Sequence, residues 1–253
     1  MRVPTILVIV FIGIAGATVT GCASAQQRPA APAASAAPPA ADAPLPGAIR
    51  WMQGSAEYTA AALQTYRIAR VHVETAAQGR APGSWAVVLD ADDTVINNLQ
   101  YQIGLFRDGA THSADRFTAF VREQVSTPVP GAAGFLTRIR EMGGRIAIVT
   151  NRMARECDDT AAMLRQLALA HDAVLCRPEG EGSSADKNPR FRAVADGRTP
   201  ASGAPVEVLA FLGDNIHDFP GGSQAWRAQG ETAFANFGVR WFVLPNPMYG
   251  SWQ

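Results

Sequence analysis

Apolar positions recur along this chain at two periods, and their order predicts an α/β domain. Residues 49–77 carry Met52, Ala56, Leu63, Tyr66 and Val73 at helical spacing; Gly54 weakens the first turn, and Ser55 is a candidate cap for the helix proper. Residues 85–89, WAVVL, form an unbroken apolar run rich in valine, the mark of a parallel strand buried on both faces. Residues 97–130 show helical pieces and no strand, with Phe117, Phe120, Val121 and Val125 on one face and Ser113 placed to cap them. A helix over 131–142 stops at Gly143-Gly144, and a second strand over 145–149 runs into Thr150-Asn151-Arg152. Then come a helix over 154–169, a strand over 173–176, a helix over 189–195 and strands over 206–212 and 241–244. Strand, helix and strand at this spacing make βαβ units. The expected domain is therefore residues 47–253: a Rossmann-like core with a parallel sheet flanked by helices. The segment about 97–130 is expected as a small helical cap insertion over the end of the first strand, placed to exclude water.

The pattern breaks down before residue 47. Arg2 precedes a nearly all-apolar run, residues 6–19, shorter than the roughly 20 residues of a membrane span and suited to a signal-peptide core. The run closes on Val19-Thr20-Gly21-Cys22, which resembles the lipobox of bacterial lipoproteins. That resemblance implies removal of residues 1–21, lipidation of Cys22 and anchorage by lipid in the cell envelope; Ala23 is compatible with outer-membrane sorting. Residues 22–46, rich in Ala and Pro, hold too little apolar surface to offset their ordering entropy and read as a disordered tether.

Charge narrows the field. The 253 residues hold 22 Lys+Arg and 22 Asp+Glu, a formal net charge of zero with no basic cluster, which argues against a nucleic-acid polymer as partner.

The chemistry is concentrated at strand ends. Asp90, Asp92 and Asp93 follow the first strand, and three carboxylates there call for a positive partner, most simply a metal ion. Strand alternation sets Asp90 and Asp92 on one side. Thr150 ends the second strand, Lys187 follows a polar loop, and Asp214 and Asp218 follow the strand over 206–212. Ligands of open α/β sheets bind at the carboxyl ends of strands, so these distant residues should meet.

DxD, then Thr, then Lys, then an acidic pair, each at a strand end, resembles the haloacid dehalogenase superfamily of phosphatases. The resemblance implies that Asp90 attacks phosphorus to form an aspartyl-phosphate, while Asp92 protonates the leaving alcohol and then takes a proton from water. Lys187 and Thr150 would hold the phosphoryl oxygens. One Mg²⁺ would sit between Asp90, Asp214 and the backbone carbonyl of Asp92. Asn151 and Asp218 would support this set, Asp218 by orienting a metal-bound water or by fixing Lys187.

WMQGSAEY (residues 51–58), VVLDADDTVINN (87–98), SSADKNPRF (183–191), GDNIHDFPG (213–221) and LPNPMYGSW (244–252) narrow the resemblance to the lipoprotein class C acid phosphatases, bacterial envelope 5′-nucleotidases. It implies a phosphomonoester substrate, a 5′-nucleotide, whose nucleoside is then taken up, and it suggests a homodimer. Two departures are visible: Ala91 and Asp93 stand where that family has Leu or Ile and Glu, so the contact made by Asp93 is open. A nucleobase needs a stacking surface. Tyr249 in the closing motif is the first choice, with Tyr101, Trp241 and Trp252 as further candidates and a core role preferred for Trp241. His217 reads as a solvent-facing turn residue, with a role in leaving-group binding as the alternative. Cys157 and Cys176 belong near one sheet edge; a disulfide is conceivable and two free thiols are the preferred reading. Two alternatives remain: the same chemistry on other phosphate esters, and a ligand-binding surface lipoprotein on a degenerate phosphatase fold. The complete set of Asp90, Asp92, Thr150, Lys187 and Asp214 argues against the second.

Overall fold

WAVVL and the four other strand segments assemble into one parallel sheet because each is apolar on both faces and can be covered only by helices on both sides. The computed structural model describes residues 43–180, 186–199 and 203–253. The leader over 1–21, Cys22 and the tether as far as residue 42 lie outside the described residues. Among the described residues, no helix is long and apolar enough to cross a membrane.

The helical region over 49–77 is two helices. Helix α1 (Gly47–Gly54) ends where Gly54 weakens the pattern, and α2 (Ala56–Ala76) restarts with Ser55 accepting from the Tyr58 N–H at 3.0 Å. Strand β1 (Trp85–Leu89) follows, buried throughout. The central sheet then takes in β4 (Arg145–Met153), β5 (Ala173–Arg177), β6 (Glu207–Gly213) and β7 (Trp241–Val243). All are parallel in the order β5-β4-β1-β6-β7, which puts β1 at the centre.

Two buried clusters hold the layers. One face of the sheet packs Val87, Leu89, Ile146 and Ile148 against Tyr66, Ala69 and Val73 of α2 and Phe135, Leu136 and Ile139 of α5 (Ala132–Glu141). The other packs Val88, Val149 and Phe211 against Phe191 and Val194 of α7 (Asn188–Ala195). Gly144 lies against the Trp85 ring so tightly that a Cβ there would come within 2.3 Å of it.

The insert after β1 is not wholly helical. It contains α3 (Leu99–Arg107) and α4 (Ala114–Glu123), the latter capped by Ser113 accepting from the Arg116 N–H at 3.3 Å. It is pinched at its base by two two-residue strands, β2 (Ile96–Asn97) and β3 (Thr127–Pro128), paired antiparallel. Strands this short, one of them containing a proline, carry no alternation from which to read them.

The helix following β4 begins as a single 3₁₀ turn, Ala154–Glu156, and continues as α6 (Cys157–Gln166). Cys157 and Cys176 are joined by a disulfide, with their Cα atoms 5.9 Å apart, which corrects the free-thiol reading. The start of α6 and the end of β5 lie side by side because β5 pairs with β4, the strand that leads into α6.

Candidate active site

Asp90, Asp92, Thr150 and Asp214 are delivered by the carboxyl ends of strands, and Lys187 by the start of α7. Asp90 follows β1 and is still held in the sheet, its N–H donating to the Leu212 carbonyl at 3.0 Å. Asp214 follows β6, and the next residues turn through the 3₁₀ segment Ile216–Asp218. Asn215 starts that turn: its side chain accepts from the His217 N–H at 3.2 Å, and Asp218 accepts from the Asn215 N–H at 2.8 Å. Gly213 is required here, because a Cβ would lie 2.1 Å from the Asp218 Cβ.

Asp90, Asp214 and Asp218 each present a carboxylate oxygen within 4.8 Å of one another. Lys187, buried at the start of α7, binds Asp218 at 2.7 Å and makes a close ion pair with Asp90. Asp218 therefore fixes Lys187 directly. The electrostatics are those of an acid excess. Burial, with Asp218 and Asp92 adding to it, pushes the Asp90 carboxyl up to about 7 although Lys187 pulls the other way. Burial and the charges of Asp218, Asp90 and Asp93 hold Asp214 well above the usual carboxylate range. Burial lowers the Lys187 ammonium, but Asp218 and Asp90 outweigh it and raise it overall. Three convergent carboxylates with one ammonium between two of them make an all-oxygen donor set with negative charge in excess, which fits a hard divalent cation.

Asp92 faces a different partner. Its carboxylate is taken by Arg152, at 2.8 Å from Nη2 and 3.0 Å from Nε, and by Asn98 in a close hydrogen bond. Burial raises Asp92, but the Arg152 charge and these hydrogen bonds bring it below the ordinary carboxylate value. Its carboxylate stands outside the three-acid group, so a metal role for Asp92 is left to its backbone carbonyl. Sequence reading missed Arg152 because β4 was ended at residue 149. The strand runs on to Met153 through an irregularity after Val149, and Thr150 and Arg152 are both buried there with Asn151 part-exposed between them.

Thr150 is fully buried, its hydroxyl accepting from the Arg152 N–H at 3.1 Å. Asn151 accepts from Arg190 Nη2 at 2.6 Å, and the same guanidinium reaches the Thr150 and Asp186 carbonyls. Arg190 thus ties the end of β4 to the entry of Lys187.

Asp93 has a positive φ of 50°, which Asp tolerates better than most residues. Its carboxylate accepts from the Asn98 N–H at 3.2 Å and the Tyr249 hydroxyl at 2.5 Å. Burial pushes it up to about 7 against those two hydrogen bonds.

Asp90, Asp92, Asn151, Lys187, Asp214 and Asp218 line a cavity of about 730 Å³, whereas Thr150 and Asp93 are buried beside it. The insert lines one wall with Tyr101, Leu105, His112 and Phe117; Met248 and Tyr249 line another. Tyr101 is held edge-on to Phe117, ring centroids 5.1 Å apart, with its hydroxyl 2.9 Å from His112 Nδ1. Trp241 is a core residue stacked on Trp226, and Trp252 is exposed. His217 lies in the 3₁₀ turn, is part-exposed and lines the cavity.

The sequence matches the family described as HAD superfamily, subfamily IIIB (Acid phosphatase), over residues 10–252. The class C acid phosphatase from Bacillus anthracis is similar in structure, with 25% identity, a TM-score of 0.70, and coverage of 81% of this chain and 84% of that one. The same protein with tungstate bound matches at 25% identity with a TM-score of 0.69, over the same shares of the two chains. The chain belongs to this subfamily of acid phosphatases and is a phosphomonoester hydrolase.

Proposed function

We propose that this protein is a Mg²⁺-dependent 5′-nucleotidase working through an aspartyl-phosphate on Asp90. The observation that carries the chemistry is the buried Lys187 set between Asp90 and Asp218, with Asp214 completing the acid group at the floor of the cavity. Asp90, Asp214 and the Asp92 carbonyl would hold the Mg²⁺, with Asp218 beside them; when bound, the ion offsets the repulsion between an anionic nucleophile and an anionic ester.

Asp90 attacks phosphorus as the bond to the leaving oxygen breaks, and Asp92 protonates that oxygen. Water then attacks the phospho-aspartate while Asp92 accepts its proton, which returns both residues to their starting state. Lys187 carries the positive charge that draws the phosphoryl oxygens, and Thr150, with Asn151 beside it, supports them from β4. The tungstate complex of the Bacillus anthracis relative supports an oxyanion as ligand, since tungstate is tetrahedral like phosphate.

The aromatic lining supports a nucleoside as leaving group. Tyr101 and Phe117 on the insert and Tyr249 in the closing segment line the same cavity and offer ring surface for a base, stacking being worth about 1–3 kcal/mol per base. A leader over residues 1–21 followed directly by Cys22 supports attachment to the cell envelope by lipid, at the outer membrane or periplasmic face, where nucleotides would be dephosphorylated before nucleoside uptake. A homodimer is part of the same reading.

Phosphate release from 5′-nucleotides and simple esters, with Mg²⁺ and with chelator, tests this. Metal-dependent release favouring nucleotides is expected. Equal release from simple esters would remove the nucleotide reading and leave the chemistry.

A further inference from the structure

We propose that Arg152 is the positioning residue for Asp92, and that Arg152 and Asn98 together fill Asp92 Oδ1 so that Oδ2 is the oxygen that gives and takes the proton. The inference rests on Asp92 being the acid–base group of the proposed function.

Donors crowd one oxygen. Oδ1 receives Arg152 Nη2 at 2.8 Å, Arg152 Nε at 3.0 Å and the close Asn98 amide, whereas Oδ2 receives only Nε, at 3.2 Å. A carboxylate oxygen has two in-plane lone pairs; Nη2 and the Asn98 amide take both on Oδ1, and the single Nε hydrogen is shared between the two oxygens, which leaves Oδ2 with capacity for a reacting proton. The Arg152 side chain is 0% exposed and that of Asp92 is 18% exposed, so of these two cavity-lining residues the carboxylate is the more accessible.

The guanidinium is itself fixed. Nη1 donates to Thr160 Oγ1 at 3.1 Å, and that hydroxyl donates to the Glu156 carbonyl at 2.7 Å. Phe117 of the insert covers the group, with its ring centroid 5.5 Å from the guanidinium carbon. Asn98 is held in turn by Ser126 Oγ, which donates to its Oδ1 at 3.0 Å. A rigid fork of this kind sets the plane of a carboxylate, which the point charge of a lysine cannot do.

In the first half-reaction the proton on Oδ2 moves to the leaving oxygen as the P–O bond breaks and the bond from Asp90 to phosphorus forms. In the second, water forms the new P–O bond, the bond to Asp90 breaks, and the proton of water returns to Oδ2. In the first half-reaction, which kcat/KM reads, misaiming Oδ2 therefore penalises esters whose leaving oxygen needs a proton and spares those whose leaving group departs as an anion; the second half-reaction is common to both.

The test compares an alkyl ester, a nucleoside 5′-monophosphate, with an activated aryl ester, p-nitrophenyl phosphate, for Arg152→Gln, Arg152→Lys and Thr160→Val beside Asp92→Asn. We expect Arg152→Gln and Arg152→Lys to lower kcat/KM on the alkyl ester about 100-fold and on the aryl ester less than about 10-fold, the bias expected of lost general acid catalysis to the leaving oxygen. Thr160→Val, which keeps the ion pair and nearly the same volume, should show the same bias at about 3- to 10-fold, and it decides the matter if the Arg152 variants do not fold. Equal losses of kcat/KM on both esters, or no loss on either, would overturn the inference. Absence of the bias in Asp92→Asn itself would instead overturn the role given to Asp92.

Discussion

The Tyr249 hydroxyl donates to the Asp93 carboxylate at 2.5 Å, joining positions 156 residues apart. Through this bond the closing segment is tied to the acidic loop after β1, and one wall of the cavity is fixed to its floor. Asp93 is fully buried, so the bond also satisfies a carboxylate that has no access to water. Tyr249→Phe keeps the ring and removes the donor. It should cost about 1–3 kcal/mol, the penalty for a buried group left short of a partner, and lower Tm by several degrees. KM for a nucleotide should move far less than in Tyr249→Ala, which removes the stacking surface too; thermal melts and steady-state kinetics on the two variants separate the roles.

Asp90→Asn should abolish turnover on every ester, by at least about a thousandfold, because an amide oxygen cannot form the acyl-phosphate. Single-turnover assays with labelled ester should show label retained on the parent protein after acid quench and none on the variant.

Metal and pH should act on stability in opposition. Asp90 and Asp93, pushed up to about 7, and Asp214, also raised, bind protons more tightly folded than unfolded. In chelator, stability should therefore fall as pH rises from about 5 toward 8. A divalent ion competes for the same oxygens, so its gain in Tm should be larger near pH 8 than near pH 5. Asp92, whose value is lowered, contributes the opposite slope only in the acid range below its unfolded value. A metal-induced gain independent of pH would contradict the acid cluster as the binding site.

Gly213→Ala forces a Cβ to within 2.1 Å of Asp218, which holds Lys187. Overpacking of this kind costs about 1–3 kcal/mol. The displaced Asp218 should loosen Lys187, so activity should fall more steeply than stability; paired measurements of kcat and Tm read both.

The Cys157–Cys176 bond closes a loop of sequence separation 19, worth about 3 kcal/mol in the chain-entropy account. Replacing both cysteines by alanine should lower Tm by roughly 5–15 °C. Glu156 and Arg177, the neighbours of the two cysteines, line the cavity, so KM should rise as well.

Some of this was legible in the sequence because it is periodic or local. Five apolar runs at βαβ spacing define a parallel sheet, and the acid, hydroxyl and amine groups that follow four of them are placed at one edge by topology alone. Ser55 and Ser113 as caps follow from local hydrogen bonding, which needs no knowledge of the fold.

Other features depended on the tertiary structure because they join groups that no period relates. The β2–β3 ribbon pairs segments about 30 residues apart that are too short to show alternation. Arg152 on Asp92, Asp218 on Lys187 and Tyr249 on Asp93 are matches of single buried donors and acceptors, made only when β1, β4, β6 and the closing segment converge. The disulfide was undecided from sequence for the same reason: whether two thiols bond depends on the separation of their Cα atoms, here 5.9 Å, and that distance is set by the pairing of β4 with β5. The sequence by itself determined which chemical groups the sheet carries and at which edge they lie. Packing decided which of them touch, because a hydrogen bond or ion pair between distant residues depends on ångström-scale placement that composition and spacing do not encode.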